Sequence, residues 1–212
     1  MICKDPALWR VLYFSNPLPR KLLSDYDLML RRAVDRSQGQ LIDLTVHYFG
    51  SANLMNHIAR RSTNLKRVKL GICFHISGFH AARIFAKLPH LEELHLTLDR
   101  AVDIRSIGYA CPTLKSFSLN TFNCKFVLLE GADDVISFYR NLCARAIAES
   151  MPNLQHLQLF AHWIGNQGLE DILEACPRLE SLDVRRCFDL HLEGDLGKRC
   201  RERMKVLKLP HD

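Results

Sequence analysis

The side chains best suited to chemistry in this sequence are His95, Ser116, Ser118 and Asp183. A serine nucleophile, an imidazole base and an orienting carboxylate can carry acyl transfer if they meet within hydrogen-bond distance beside an oxyanion site. Neither a nucleophile elbow nor a glycine-rich loop accompanies them. The eight cysteines, at positions 3, 73, 111, 124, 143, 176, 187 and 200, include no Cys-x-x-Cys pair and no Cys/His group with zinc spacing. Catalysis, a cofactor and a metal are therefore not expected.

The elements that position these residues come from a repeat. Leu91-x-x-Leu94-x-Leu96 is copied by Leu41-x-x-Leu44-x-Val46, Leu65-x-x-Val68-x-Leu70, Leu114-x-x-Phe117-x-Leu119, Leu154-x-x-Leu157-x-Leu159, Leu179-x-x-Leu182-x-Val184 and Met204-x-x-Leu207-x-Leu209. The first anchors lie 24, 26, 23, 40, 25 and 25 residues apart. This core at a period in the twenties is the signature of a leucine-rich repeat. The second and third anchors are two apart, so they share one face of a strand. Amphipathic segments between the hexapeptides predict a helix after each strand. Prolines at 89, 112, 152 and 177 end helices just before the next strand. The expected fold is an α/β solenoid, a horseshoe of about seven repeats with a parallel sheet on the concave side and helices outside. No single unit can bury its apolar face, so neighbours bury it for one another.

Two stretches depart from the pattern. Residues 1–23 precede the repeats and are expected to act as a linker and N-terminal cap on the domain at 24–212, with Ser24 as the cap of its first helix. The interval from Leu114 to Leu154 is long, and an insertion is expected at about 123–140. A long helix over roughly 134–150 should close it.

The residues between anchors face the concave surface. They include Asp43, Thr45, His47, Arg67, Lys69, Glu93, His95, Ser116, Ser118, His156, Gln158, Phe160, Asp183 and Arg185. The row is polar and of mixed charge, which suits a protein partner. Phe160 is the aromatic among them and the expected anchor of an interface.

The chain of 212 residues carries a net charge of +6. Its basic residues are interleaved with acids, and the densest cluster is Arg60, Arg61, Lys66, Arg67 and Lys69. A nucleic-acid partner is therefore not expected. No apolar run approaches bilayer length, and the N-terminus lacks a signal-peptide core. A monomer in the cytoplasm or nucleus is expected, with reduced thiols.

The segment Cys3-Lys4-Asp5-Pro6-Ala7-Leu8-Trp9-Arg10 resembles the closing part of an F-box domain. Followed by repeats of the Cys-Pro-x-Leu-x-x-Leu-x-Leu kind, it is similar to plant F-box/LRR-repeat proteins. That resemblance implies a substrate-recognition subunit of a Skp–cullin–F-box (SCF) ubiquitin ligase, with the F-box binding a Skp-type adaptor and the repeats holding a protein substrate. Cys3, Asp5, Pro6, Leu8 and Trp9 are then the remnant of the F-box, with Leu8 and Trp9 packing on the first repeat. Only the end of an F-box precedes the repeats, so adaptor binding is expected if the domain is completed upstream. The alternatives are a repeat scaffold without ligase coupling and, ranked below it, a basic nucleic-acid-binding repeat protein.

Overall fold

A computed structural model describes residues 5–15, 23–71, 78–97, 102–120 and 141–212. Its eight strands form a single parallel sheet in chain order. They are β1 (Val11–Ser15), β2 (Asp43–His47), β3 (Arg67–Gly71), β4 (Glu93–Thr97), β5 (Ser116–Asn120), β6 (His156–Phe160), β7 (Ser181–Asp183) and β8 (Val206–Lys208). Strand spacing of ~4.8 Å makes the sheet about 34 Å wide.

β2 and β4 alternate buried anchors with partly exposed neighbours; in β5 the intervening Ser118 is buried as well. The second and third anchors stack in register, so that Leu44, Val68, Leu94, Phe117 and Leu157 form one buried row across five strands. Each of these side chains contributes about 1.5–3 kcal/mol on burial.

The helices lie behind the sheet. They are α1 (Leu23–Arg36), α2 (Ala52–Arg61), α3 (Gly78–Phe85), α4 (Ile104–Ala110), α5 (Leu142–Ser150), α6 (Asn166–Ala175) and α7 (Asp195–Arg203). Ser51 caps α2 by accepting from the Leu54 amide, and Asp103 caps α4 by accepting from the Ser106 amide. Ser24 lies inside the first turn of α1 rather than ahead of it. In α3 the inward residues are Ala81, Ile84 and Phe85.

The sheet has one strand more than the hexapeptides number. β1 pairs with β2 in parallel, Leu12 opposite Leu44 and Phe14 opposite Val46. Trp9-x-x-Leu12-x-Phe14 is an aromatic version of the repeat core, with partly buried Trp9 packed against the apolar core in the first-anchor place. Its 32-residue distance from Leu41 lies outside the spacing of most other repeats, and so hides it. Phe14, Phe49 and Tyr26 close this end of the core, with Phe49 ring centroids 6.3 Å from Phe14 and 5.6 Å from Tyr26.

Two hydrogen-bond ladders tie the repeats together. At strand entry, one carbonyl accepts from two successive amides of the next repeat, as Ile42 does from Lys66 and Arg67, and Lys115 from Gln155 and His156. Just before the first anchor, Asn64 donates to the Gly39 carbonyl, Thr113 to Leu91 and Asn153 to Pro112. Such side chains satisfy carbonyls that the turns leave open.

The 40-residue interval does not shift the register, because Ser116 still pairs with His156. Of the helix expected at 134–150, α5 is the described part. The insertion itself lies outside the described residues, as does Cys3. Among the described residues, Cys111, Cys143, Cys176, Cys187 and Cys200 are free thiols. No described helix is long and apolar enough to cross a membrane.

Candidate protein-interaction face

Three rows of side chains run across the concave face, set by the strand register. The first contains Val11, Asp43, Arg67, Glu93, Ser116, His156, Ser181 and Val206. The second contains Tyr13, Thr45, Lys69, His95, Ser118, Gln158, Asp183 and Lys208. In the third, His47, Gly71, Thr97, Asn120 and Phe160 stand side by side. Thirteen of the fourteen residues expected on this face from the sequence stand in these rows, and Arg185 follows β7 in the turn after it.

The register does not assemble an acyl-transfer site. His95 stands opposite Ser118, not Ser116. Ser118 is committed to Gln158, donating to Oε1 at 3.0 Å. Asp183 is three strands from His95, about 14 Å away at sheet spacing, and is bound to cations. Arg185 Nε lies 2.9 Å and Nη2 2.8 Å from its two carboxylate oxygens. Lys208 is 3.5 Å away. Burial pushes the Asp183 carboxyl up, but the bonds from Arg185 outweigh it and hold the pKa below the ordinary value.

Phe160 is half-buried rather than open. The guanidinium groups of Arg185 and Arg186 sit 5.9 and 5.6 Å from its ring centroid. Arg186 takes a left-handed backbone, with φ 62, in the turn after β7. Tyr48 and Ala161 take the same conformation at the same repeat position, with φ 69 and 58.

Asp43 and Arg67 pair across β2 and β3 at 2.8 Å. Behind them, in the turns entering the strands, Glu92 bridges Lys66 at 3.5 Å and Lys115 at 3.1 Å. Arg61, at the end of α2, faces Asp35 at 3.5 Å. The basic cluster around 60–69 is thus divided among the end of a helix, a turn and the concave face, and three of its five residues are ion-paired.

The imidazoles of His47 and His95 both have lowered pKa values, from burial first and then from the charge of Lys69. Asp43 opposes the shift at His95. Tyr13 and Tyr48 pack on His47, each with its ring centroid at 6.2 Å. These two tyrosines belong to this face but are not among the residues expected there. The signal for Tyr13 was Trp9-x-x-Leu12-x-Phe14; Tyr48 enters through the turn after β2, which the hexapeptide does not describe.

Of the N-terminal motif, Asp5 accepts from the Ala7 amide at 2.9 Å and starts a 3-10 turn, Pro6–Trp9. Trp9 packs against the core beneath the Arg36 guanidinium, 5.4 Å from its ring. Leu8 does not pack as expected: it is 66% exposed, because the turn that turns Trp9 inward turns Leu8 out. Among the described residues, no group of three or more His, Cys, Asp or Glu is arranged to hold a metal.

No family model matches the chain. It is 40% identical over 219 residues to putative F-box/LRR-repeat protein 21 of Arabidopsis thaliana, an alignment covering 100% of this chain and 71% of that protein. The chain belongs to the F-box/LRR-repeat family. It is also 43% identical over 214 residues to putative F-box/LRR-repeat protein 23, and 42% identical over 215 residues to F-box protein SKIP19, both from Arabidopsis thaliana. The alignments cover all of this chain but 46% and 66% of those two proteins. A solved structure of a Bacteroides fragilis protein, 12% identical, aligns with a TM-score of 0.55 over 96% of this chain and 66% of that one, and shows a shared fold. The F-box/LRR-repeat chain thus combines a parallel repeat sheet with a polar concave face.

Proposed function

We propose that this F-box/LRR-repeat chain is the substrate-holding part of an SCF-type ubiquitin ligase receptor. It performs no chemistry of its own. The concave face binds a protein, and a completed F-box ahead of β1 would bind a Skp-type adaptor and bring that protein to the ligase. The observation that carries this reading is the concave face itself: three rows of polar, charged and aromatic side chains on a rigid parallel sheet, in a chain of this family. The role fits the cytoplasm or nucleus, where free thiols are ordinary.

The test is reconstitution with a purified Skp-type adaptor. The chain extended upstream by a complete F-box is expected to bind the adaptor. Phe160→Asp is expected to abolish capture of the protein partner and leave adaptor binding unchanged. Failure of the extended chain to bind would leave a repeat scaffold without ligase coupling.

A further inference from the structure

We propose that Lys69, His47 and His95 form a subsite on the concave face for a carboxylate side chain, Asp or Glu, of a bound protein segment. This rests on the reading of that face as the one that holds a protein partner.

The geometry comes from the register and from one missing side chain. Lys69 on β3 stands between Thr45 on β2 and His95 on β4. His47 approaches Lys69 from the side of Gly71. Its ring leans from β2 into the room that a side chain at Gly71 would fill: a Cβ there would lie 3.0 Å from His47 Cδ2 and 3.3 Å from Cγ. Tyr13 and Tyr48 pack on the same imidazole. Lys69 is therefore bracketed by two imidazoles, with tyrosines at one border and the Ser118 hydroxyl at the other.

Charge identifies the ligand. Among the described residues, Lys69 makes no ion pair, whereas its neighbours Asp43 and Arg67 hold each other at 2.8 Å. The charged or titratable groups that face the two histidines are Asp43, Arg67, Lys69, Glu93, Tyr13 and Tyr48; β5 offers the hydroxyls of Ser116 and Ser118. One half-buried cation is left to be matched. A doubly charged phosphate is best matched by a second cation or a free guanidinium fork beside Lys69, and the adjacent guanidinium is taken by Asp43. A single carboxylate fits better.

A carboxylate seated on Lys69 cancels the positive field that Lys69 exerts at both imidazoles. Each then binds a proton more readily than in the free chain. Binding takes up protons, so affinity rises as pH falls toward the ordinary histidine value.

The experiment uses the intact chain at low salt, with a deca-glutamate peptide as probe and a peptide of equal length carrying phosphoserine as comparison. Binding is followed through the imidazole C–H resonances of His47 and His95. Saturable deca-glutamate binding is expected, tightening about tenfold from about pH 7.5 to about pH 6, with both histidine pKa values raised in the complex. Lys69→Gln is expected to weaken binding about tenfold or more, and Lys69→Arg to retain it. Thr45→Glu supplies an internal carboxylate beside Lys69 and is expected to block the probe, which keeps the test open if Lys69→Gln does not fold. Absence of saturable binding, equal binding by a folded Lys69→Gln, pH-independent affinity, or tighter binding of the phosphoserine peptide overturns the proposal. If the probe fails while Phe160→Asp still abolishes partner capture, the subsite falls and the broader reading of the face stands.

Discussion

Asp183 ends β7 and Arg185 follows two residues later in the turn after it, and the two lock together through side-chain hydrogen bonds at 2.9 and 2.8 Å. The pair joins the sheet to the turn whose Arg186 covers Phe160. It therefore couples the stability of the C-terminal repeats to the posture of the aromatic on the concave face.

Removing the Asp183 charge should loosen both. Asp183→Asn is expected to cost about 1–3 kcal/mol, read as a lower urea midpoint. The folded pKa of Asp183 is depressed, so its contribution is present above the unfolded value and is lost as pH falls through the folded one. The difference between wild type and variant should therefore shrink in acid. A constant difference down to about pH 2 would contradict the assigned pairing.

His162 offers a second pH-linked test. It occupies the place three residues after the last anchor of its repeat. It is buried, its Nε2 has no partner, and it bonds the Leu119 carbonyl. Burial pushes its pKa down to about 4, although the Leu119 bond works against the shift. The unfolded chain gains this proton near the ordinary histidine value, about 6.5. Stability is thus full above that pH and falls between it and about 4, by up to about 3 kcal/mol. His162→Asn keeps a donor for Leu119 and should flatten this part of a stability–pH curve measured by chemical denaturation. An unchanged slope would show that other groups carry it.

Gly197 in α7 should tolerate no side chain. A Cβ there would lie 1.8 Å from the Leu192 carbonyl oxygen, a backbone atom that cannot swing aside. Gly197→Ala is expected to cost about 3 kcal/mol or more, at the upper end of overpacking effects. Thermal melting followed by circular dichroism would measure it.

The thiols should be inert until the chain opens. Cys176 and Cys187 are buried and donate to the Met151 and Leu159 carbonyls at 3.4 and 3.1 Å. Burial pushes both thiols up to about 11 and Cys111 to about 12. Iodoacetamide at about pH 8 should leave all three unmodified in the folded protein and label them in denaturant, because the thiolate is the nucleophile. Mass spectrometry of digests would locate the label, and fast native labelling of Cys187 would contradict its burial.

The sequence alone determined the parts of this protein that repeat. A strand with anchors two apart can hide both only on one face. Leu44, Val68 and Leu94 therefore specified the sheet, its parallel order and the concave residues between them without reference to distant contacts. The same logic made Phe160 visible as a facing aromatic. It did not show that Arg185 and Arg186 cover its ring, because that requires the left-handed turn at Arg186 and the hydrogen bond that the Arg186 amide donates to the Pro210 carbonyl.

Only the tertiary structure decided what lies next to what. Leu12 and Phe14 became part of a strand, with Trp9 in the 3-10 turn ahead of it, because β2 offered an edge, although the distance of Trp9 from Leu41 broke the period. Ser118 became committed to Gln158 on the next strand, a bond that spacing within one repeat does not encode. The chemistry apparent in the side-chain inventory disappears for the same reason: Asp183 is held three strands away, bound to Arg185. In a solenoid, local pattern sets each unit, while pairing between units sets which charges are neutralised and which, as at Lys69, remain to meet a partner.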